Sequence, residues 1–211
     1  MPRSTSAVAH GDGELHGCAF TRLILTLCSN LCPVSAVAVD LWETLAAEAV
    51  AESPLWDDAL LPRDARERVP VFSPLGPPAC ALGIETIYEG YLVHYGRPRL
   101  FVPADADTAL LLGDYLYAHG LVRIAAAGSV EAVHDLAELI SLCAQSRADD
   151  GPGDGPAWAA TAALLGEGAL DDARYALRVR RDGSLLEGLA RGRVGDDAVD
   201  IALAANAGRV G

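Results

Sequence analysis

Long apolar runs, basic charge and aromatic rings are all scarce in this sequence, and each scarcity closes off a class of protein. Uninterrupted apolar stretches such as 36–39 and 201–205 fall far short of the roughly 20 residues a membrane-crossing helix needs. Basic residues number 16 against 29 acidic ones, a formal charge of -13. A protein that grips nucleic acid needs the opposite balance, so nucleic acid is excluded as a main partner. The acidic surplus favours solubility. A phosphate-rich ligand would need a local basic patch or bound divalent cations. Aromatic residues are 6% of the chain, and strong β formers are confined to a few short runs. No GxxxxGK[ST] phosphate loop, no dinucleotide fingerprint between strand and helix and no GxSxG elbow occurs.

What is present is alanine and leucine, which carry much of a 51% hydrophobic content in 211 residues. Both are good helix formers, and the length suffices for one sizeable core. The expected fold class is all-α, a helical bundle. Cys18, Cys28, Cys32, Cys80 and Cys143 are odd in number and sit mostly among apolar residues, as free thiols do in a reducing compartment. Cys28 and Cys32 have too few companions for a structural zinc site. Residues 1–14 are small, polar and glycine-containing, and 18–39 are interrupted by Thr, Arg, Ser, Asn and Pro. Neither resembles a secretory signal, so a cytoplasmic location is expected.

Periodicity divides the chain further. Residues 1–16 read as a disordered tail, and 17–211 as a single helical domain with a flexible loop at 146–156, where Gly, Pro and Asp cluster. Helices are expected at 18–31, at 36–51 with Ser35 as cap, at 80–95, 106–127, 130–145, 158–165 and 170–179. One or two more fit 184–205, interrupted at Gly188, Gly192 and Gly195. Prolines at 54, 62, 70, 74, 77 and 78 argue against long elements between 52 and 79.

Three segments carry candidate chemistry. In ETIYEGYLVHYGRPR (85–99), Glu85 and Glu89 are i,i+4 neighbours. They can hold a divalent cation such as Mg²⁺ through oxygen ligands, or stand as two solvated acids. Arg97 and Arg99 can clasp an anion by forked hydrogen bonds or form an exposed basic turn. In LLLGDYLYAHG (110–120), Asp114 lies within an apolar helix, and a buried carboxylate needs a partner. Tyr88, Tyr91, His94 or Arg97 can supply one, either tying two helices together or facing a ligand. In GDDAVDI (195–201), Asp196, Asp197 and Asp200 form a DDxxD that could bind Mg²⁺.

The order of these features resembles the all-α isoprenyl diphosphate synthases, the polyprenyl synthetase family. Tyr95-Gly96-Arg97-Pro98 is similar to the family's Gly-x-Pro turn, and LLGDYLYA (111–118) to its LLxGDxLxxxA helix. AAAGSVEAVHDLAELISLCA looks like the turn and helix that follow, and Thr161-Ala162-Ala163-Leu164 like its Lys-Thr-Ala-x-Leu segment. DDAVD stands where the second aspartate-rich motif would be sought. The departures are specific. The first motif falls on Glu85, Thr86 and Glu89, the paired arginines on His94 and Tyr95, and the lysine on Ala160.

The resemblance implies a truncated isoprenoid-synthase fold and a degenerate or non-catalytic member of the family. Such a chain would be a homodimer, a heteromer with a catalytic prenyl synthase subunit, or a binder of prenyl diphosphate. Tyr88, His94, Arg97, Arg99 and Asp114 would meet the ligand. If activity remained, Mg²⁺ would sit on Glu85, Glu89, Asp196, Asp197 and Asp200, the two acidic groups facing each other across a cavity. A helical scaffold without a small-molecule site is the third reading. It predicts a filled core and an exposed apolar patch.

Overall fold

In a computed structural model the described residues, 40–151 and 153–210, are all-α, with nine helices and no sheet. The helices are α1 (Leu41–Glu52), α2 (Pro54–Ala59), α3 (Ala81–Tyr95), α4 (Ala106–Ala126) and α5 (Val130–Ala148). After them come α6 (Asp154–Ala163), α7 (Asp171–Arg180), α8 (Ser184–Val194) and α9 (Asp196–Ala207). The tail at 1–16 and the helix at 18–31 lie outside the described residues. None of the described helices is long and apolar enough to cross a membrane.

Local chemistry explains most boundaries. The Asp40 carboxylate accepts from the Trp42 and Glu43 amides and starts α1, which is the helix expected from Ser35 onward. Asp105 and Ser129 cap α4 and α5 through the amides of Thr108 and Ala132, satisfying donors that the first helical turn leaves open. Helix α5 runs on to Ala148 and α6 begins at Asp154, so the expected loop is shortened to 149–153. The stretch 184–205 splits only at Gly195, whose φ of +89° suits glycine. Gly188 and Gly192 stay helical. The proline-rich stretch holds only α2 and two single 3₁₀ turns, Ser73–Leu75 and Pro78–Cys80.

Two apolar clusters form the interior. The larger joins Phe72, Tyr88, Tyr91 and Trp158 to the inner faces of α5 to α9. Its rings interlock, with Phe72 stacked on Trp158 at 5.4 Å between centroids and Tyr88 edge-on to Trp158 at 5.1 Å. The smaller collects Trp42 and Leu45 from α1, Trp56 from α2, Leu112 and Leu116 from α4, and Phe101 from the segment between α3 and α4.

The closest helix pair is α3 and α4, which run antiparallel. Gly83 and Gly90 on α3 oppose Gly120 and Gly113 on α4, both pairs seven residues apart. A Cβ at Gly120 would stand 2.4 Å from Ile87 Cγ1 and 3.0 Å from the Gly83 carbonyl oxygen. A Cβ at Gly90 would stand 2.9 Å from the Gly113 carbonyl oxygen. Both helices therefore touch along backbone, with no room for side chains at the crossing points. Gly120→Ala is expected to lower stability by about 1–3 kcal/mol through overpacking. Gly188→Ala, with open space around it, is expected to leave stability unchanged or raise it by up to about 1 kcal/mol. Urea unfolding of both variants checks the contrast.

Candidate functional site

Glu85, Glu89 and Arg99 come together as the sequence spacing suggests, but inside the protein. All three side chains are fully buried. One turn of α3 places the two carboxylates in line, and the chain after α3 folds back so that Arg99 lies across them. Arg99 Nη1 meets Glu85 Oε2 at 2.5 Å, and Nε meets Glu89 Oε2 at 2.8 Å. The other two carboxylate oxygens are also filled. Glu85 Oε1 accepts from the Val71 and Ser73 amides, each at 3.0 Å. Glu89 Oε1 accepts from the Arg99 and Leu100 amides at 2.8 and 2.7 Å.

The guanidinium is as fully engaged. Nη1 also donates to the Val69 carbonyl at 3.1 Å and Nη2 to the Glu85 carbonyl at 3.2 Å. Its Cζ stands over the Trp42 and Tyr88 rings, 4.7 and 4.9 Å from their centroids, a cation–π arrangement. Burial would lower the Arg99 pKa, and the Glu85 and Glu89 charges reverse that, so it is raised on balance. Two carboxylates face one guanidinium, and four backbone N–H groups meet the remaining negative charge. This donor set does not fit a divalent cation, since every carboxylate oxygen of the two acids already has a hydrogen-bond partner. Thr86, between the two acids, turns its hydroxyl back to the Leu82 carbonyl at 2.7 Å.

The other candidates are dispersed. Tyr88 is core, and its hydroxyl donates to Asn206 Oδ1 at 2.9 Å. Burial is the main cause that pushes its pKa far up. Asp114, expected inside the helix packing, is instead 66% exposed on α4, because the Gly113 side of the helix is the one turned to α3. His94 packs its ring on Gly113 and sets Nε2 3.3 Å from Asp114 Oδ1. Burial lowers the His94 pKa and Asp114 opposes that shift. Arg97 is exposed at the turn, its amide bonded to the Arg209 carbonyl at 2.9 Å.

Asp196, Asp197 and Asp200 lie exposed at the start of α9. Asp196 and Asp200 converge on Arg191, at 3.4 and 2.6 Å, and Glu187 meets the same guanidinium at 2.7 Å. Their counter-charge is thus an arginine of α8. Buried Glu85 and Glu89 do not face these acids across a cavity. Among the described residues no group of three or more His, Cys, Asp or Glu side chains is arranged to hold a metal ion.

Two buried polar groups escaped sequence reasoning. Tyr91 donates to Asp154 Oδ2 at 2.6 Å and accepts from Arg147 Nη2 at 2.8 Å, while Arg147 Nε reaches the same carboxylate oxygen at 2.5 Å. This knot joins α3, the last turn of α5 and the first turn of α6. Asp135, buried, joins Arg174 at 2.9 Å and the Gly166 amide at 2.8 Å, tying α5 to α7 and to the loop between α6 and α7. Tyr91 and Asp154 are 63 residues apart and Asp135 and Arg174 are 39 apart, so no local spacing signals either contact.

Compared with family models, curated proteins and solved structures, the chain matches none of them. The fold defines a class only: an all-α helical bundle. Arg99→Met is expected to strand two buried carboxylates and to lower stability by about 3–5 kcal/mol. Arg99→Lys is expected to recover little of the loss, since an ammonium is a compact charge that cannot span both acids as the forked guanidinium does. Thermal and chemical unfolding of the two variants measures this.

Proposed function

We propose that the protein is a non-catalytic relative of the prenyl diphosphate synthases, working as a helical subunit in isoprenoid biosynthesis. The observation that carries this reading is the burial of Glu85 and Glu89 against Arg99. In the family that the sequence resembles, ionisation of an allylic diphosphate needs metal charge at the leaving group. The two acids that stand at the first aspartate-rich motif here are turned inward and neutralised. The acids at the second motif are held on the surface by Arg191. The aromatic side of α3 is filled by Phe72 and Trp158 rather than open to a prenyl chain. Together these favour loss of the chemistry with retention of the helical frame.

The subunit role rests on what the frame exposes. Helix α4 presents Leu110, Leu111 and Val122 to solvent, each more than half exposed. A scaffold without any small-molecule site is the second reading, and the filled core and this same exposed face favour it. Active chemistry on altered acidic motifs would require carboxylates open to a cleft.

Calorimetry with a farnesyl diphosphate analogue, with and without Mg²⁺, tests the reading on the full chain. No binding in either condition is expected. Mg²⁺-dependent binding that Asp196→Ala abolishes would overturn it in favour of an altered enzyme. Mg²⁺-independent binding would replace the subunit role with that of a prenyl binder.

A further inference from the structure

The first turn of α1 and the proline-rich stretch frame a hollow of about 340 Å³. Leu41, Trp42, Pro70, Ser73, Pro74 and Pro78 line it, and among the described residues no charged side chain does. Its walls are fixed without any occupant. The Val71 and Ser73 amides are tied to Glu85 Oε1, each at 3.0 Å. Each proline ring locks its own φ. Gly76, just past the Ser73–Leu75 turn, is pressed on α6 so closely that a Cβ there would stand 2.8 Å from the Ala162 carbonyl oxygen. Trp42 is 7% exposed, with Arg99 Cζ over its ring. A hollow with walls this constrained needs little ordering to receive a ligand.

Ser73 contributes the one hydroxyl on this lining. The residue is only 7% exposed. Its amide is taken by Glu85, yet its Oγ meets no hydrogen-bond partner among the described residues. A hydroxyl buried to this degree ordinarily has one. An unpartnered hydroxyl on an apolar lining points to a ligand that brings one hydrogen-bonding group and is otherwise apolar. A charged ligand would lose its hydration with no counter-charge to replace it. The Trp42 and proline rings favour a flat guest, since aromatic faces pack well on them. A dry cavity of about 150 Å³ admits benzene, so a hollow of about 340 Å³ has room for two fused rings.

We propose that this hollow binds a small neutral aromatic molecule of two fused rings, whose one polar edge group bonds to Ser73 Oγ. Trp42 and the prolines hold its faces, and the hydroxyl sets its orientation. The hollow is wide-mouthed, so one side of the guest stays in water and the expected Kd is on the order of 0.1–1 mM. A diphosphate finds no cation on this lining, so the site is separate from any prenyl diphosphate chemistry. The inference goes beyond the subunit reading above and does not rest on it.

Indole and indene, alike in shape but differing in the ring N–H, test it on the isotope-labelled full chain. Nuclear magnetic resonance reads the Trp42 side-chain N–H and the amides of Ser73, Gly76 and Ala81. Indole is expected to shift these signals saturably and to bind about fivefold tighter than indene, the worth of one neutral hydrogen bond. Ser73→Ala is expected to bring the two within about twofold by weakening indole alone. Ala81→Phe fills the hollow from the start of α3 and is expected to weaken both by roughly tenfold or more. Should Ala81→Phe fail to fold, the Ser73→Ala comparison still decides. Absence of saturable shifts at these signals overturns the proposal. Equal binding of indole and indene by the wild type overturns it as well, by making the hollow an unselective apolar surface. An indole preference that survives Ser73→Ala does the same, by placing the hydrogen bond elsewhere. None of these results touches the loss of Mg²⁺ chemistry, which the diphosphate calorimetry reads separately.

Discussion

The arrangement of the first half of the described chain depends on Arg99. Its guanidinium is the point where four segments meet: α3 through Glu85 and Glu89, α1 through Trp42, the 69–73 stretch through Val69, and its own turn after α3. Burying a charge without partners costs several kcal/mol. The segments that supply its partners are therefore obliged to converge. The proline-rich stretch has little regular structure to hold it. It is held instead by the Val71 and Ser73 amides on Glu85, and by the Leu61 and Glu67 amides on the carbonyls of Leu100 and Arg99. The same cluster is what removes the two acids from any chemistry, so packing and function are one question at this point.

The glycine-lined contact between α3 and α4 is the second constraint. Backbone proximity at Gly83, Gly90, Gly113 and Gly120 fixes the rotation of α4 about its own axis. That rotation turns Asp114 outward and leaves Leu111, Ala118 and Val122 in solvent. An exposed apolar stripe on α4 is thus a consequence of how tightly its opposite face is docked.

Much of the helical layout was legible in the sequence. The helices at 80–95, 106–127 and 130–145 were readable from apolar spacing, helped by Gly96 after the first, Asp105 and Gly128 at the ends of the second and Ser129 at the start of the third. The pairing of Glu85 with Glu89 on one face was also readable, since it follows from helix geometry. Which way that face points was not, because nothing local distinguishes a solvated pair of acids from a pair waiting for a buried arginine ten residues on. Asp114 misled for the converse reason: its apolar neighbours Leu110 and Leu111 suggested burial but are themselves exposed. The seven-residue spacing of Gly83 with Gly90 and of Gly113 with Gly120 was the available signal for the true orientation of α4. The contacts of Tyr91 with Asp154 and Asp135 with Arg174 span 63 and 39 residues and depend on the completed packing.

The central claim is that Glu85 and Glu89 serve a buried arginine rather than a metal ion. Paramagnetic Mn²⁺ added to isotope-labelled wild-type protein tests it directly, read by nuclear magnetic resonance at the amides of residues 84–90. The structure predicts that these signals persist while those near the surface acids of α9 broaden. Selective loss of the 84–90 signals at sub-stoichiometric Mn²⁺ would contradict it and restore the two glutamates as metal ligands.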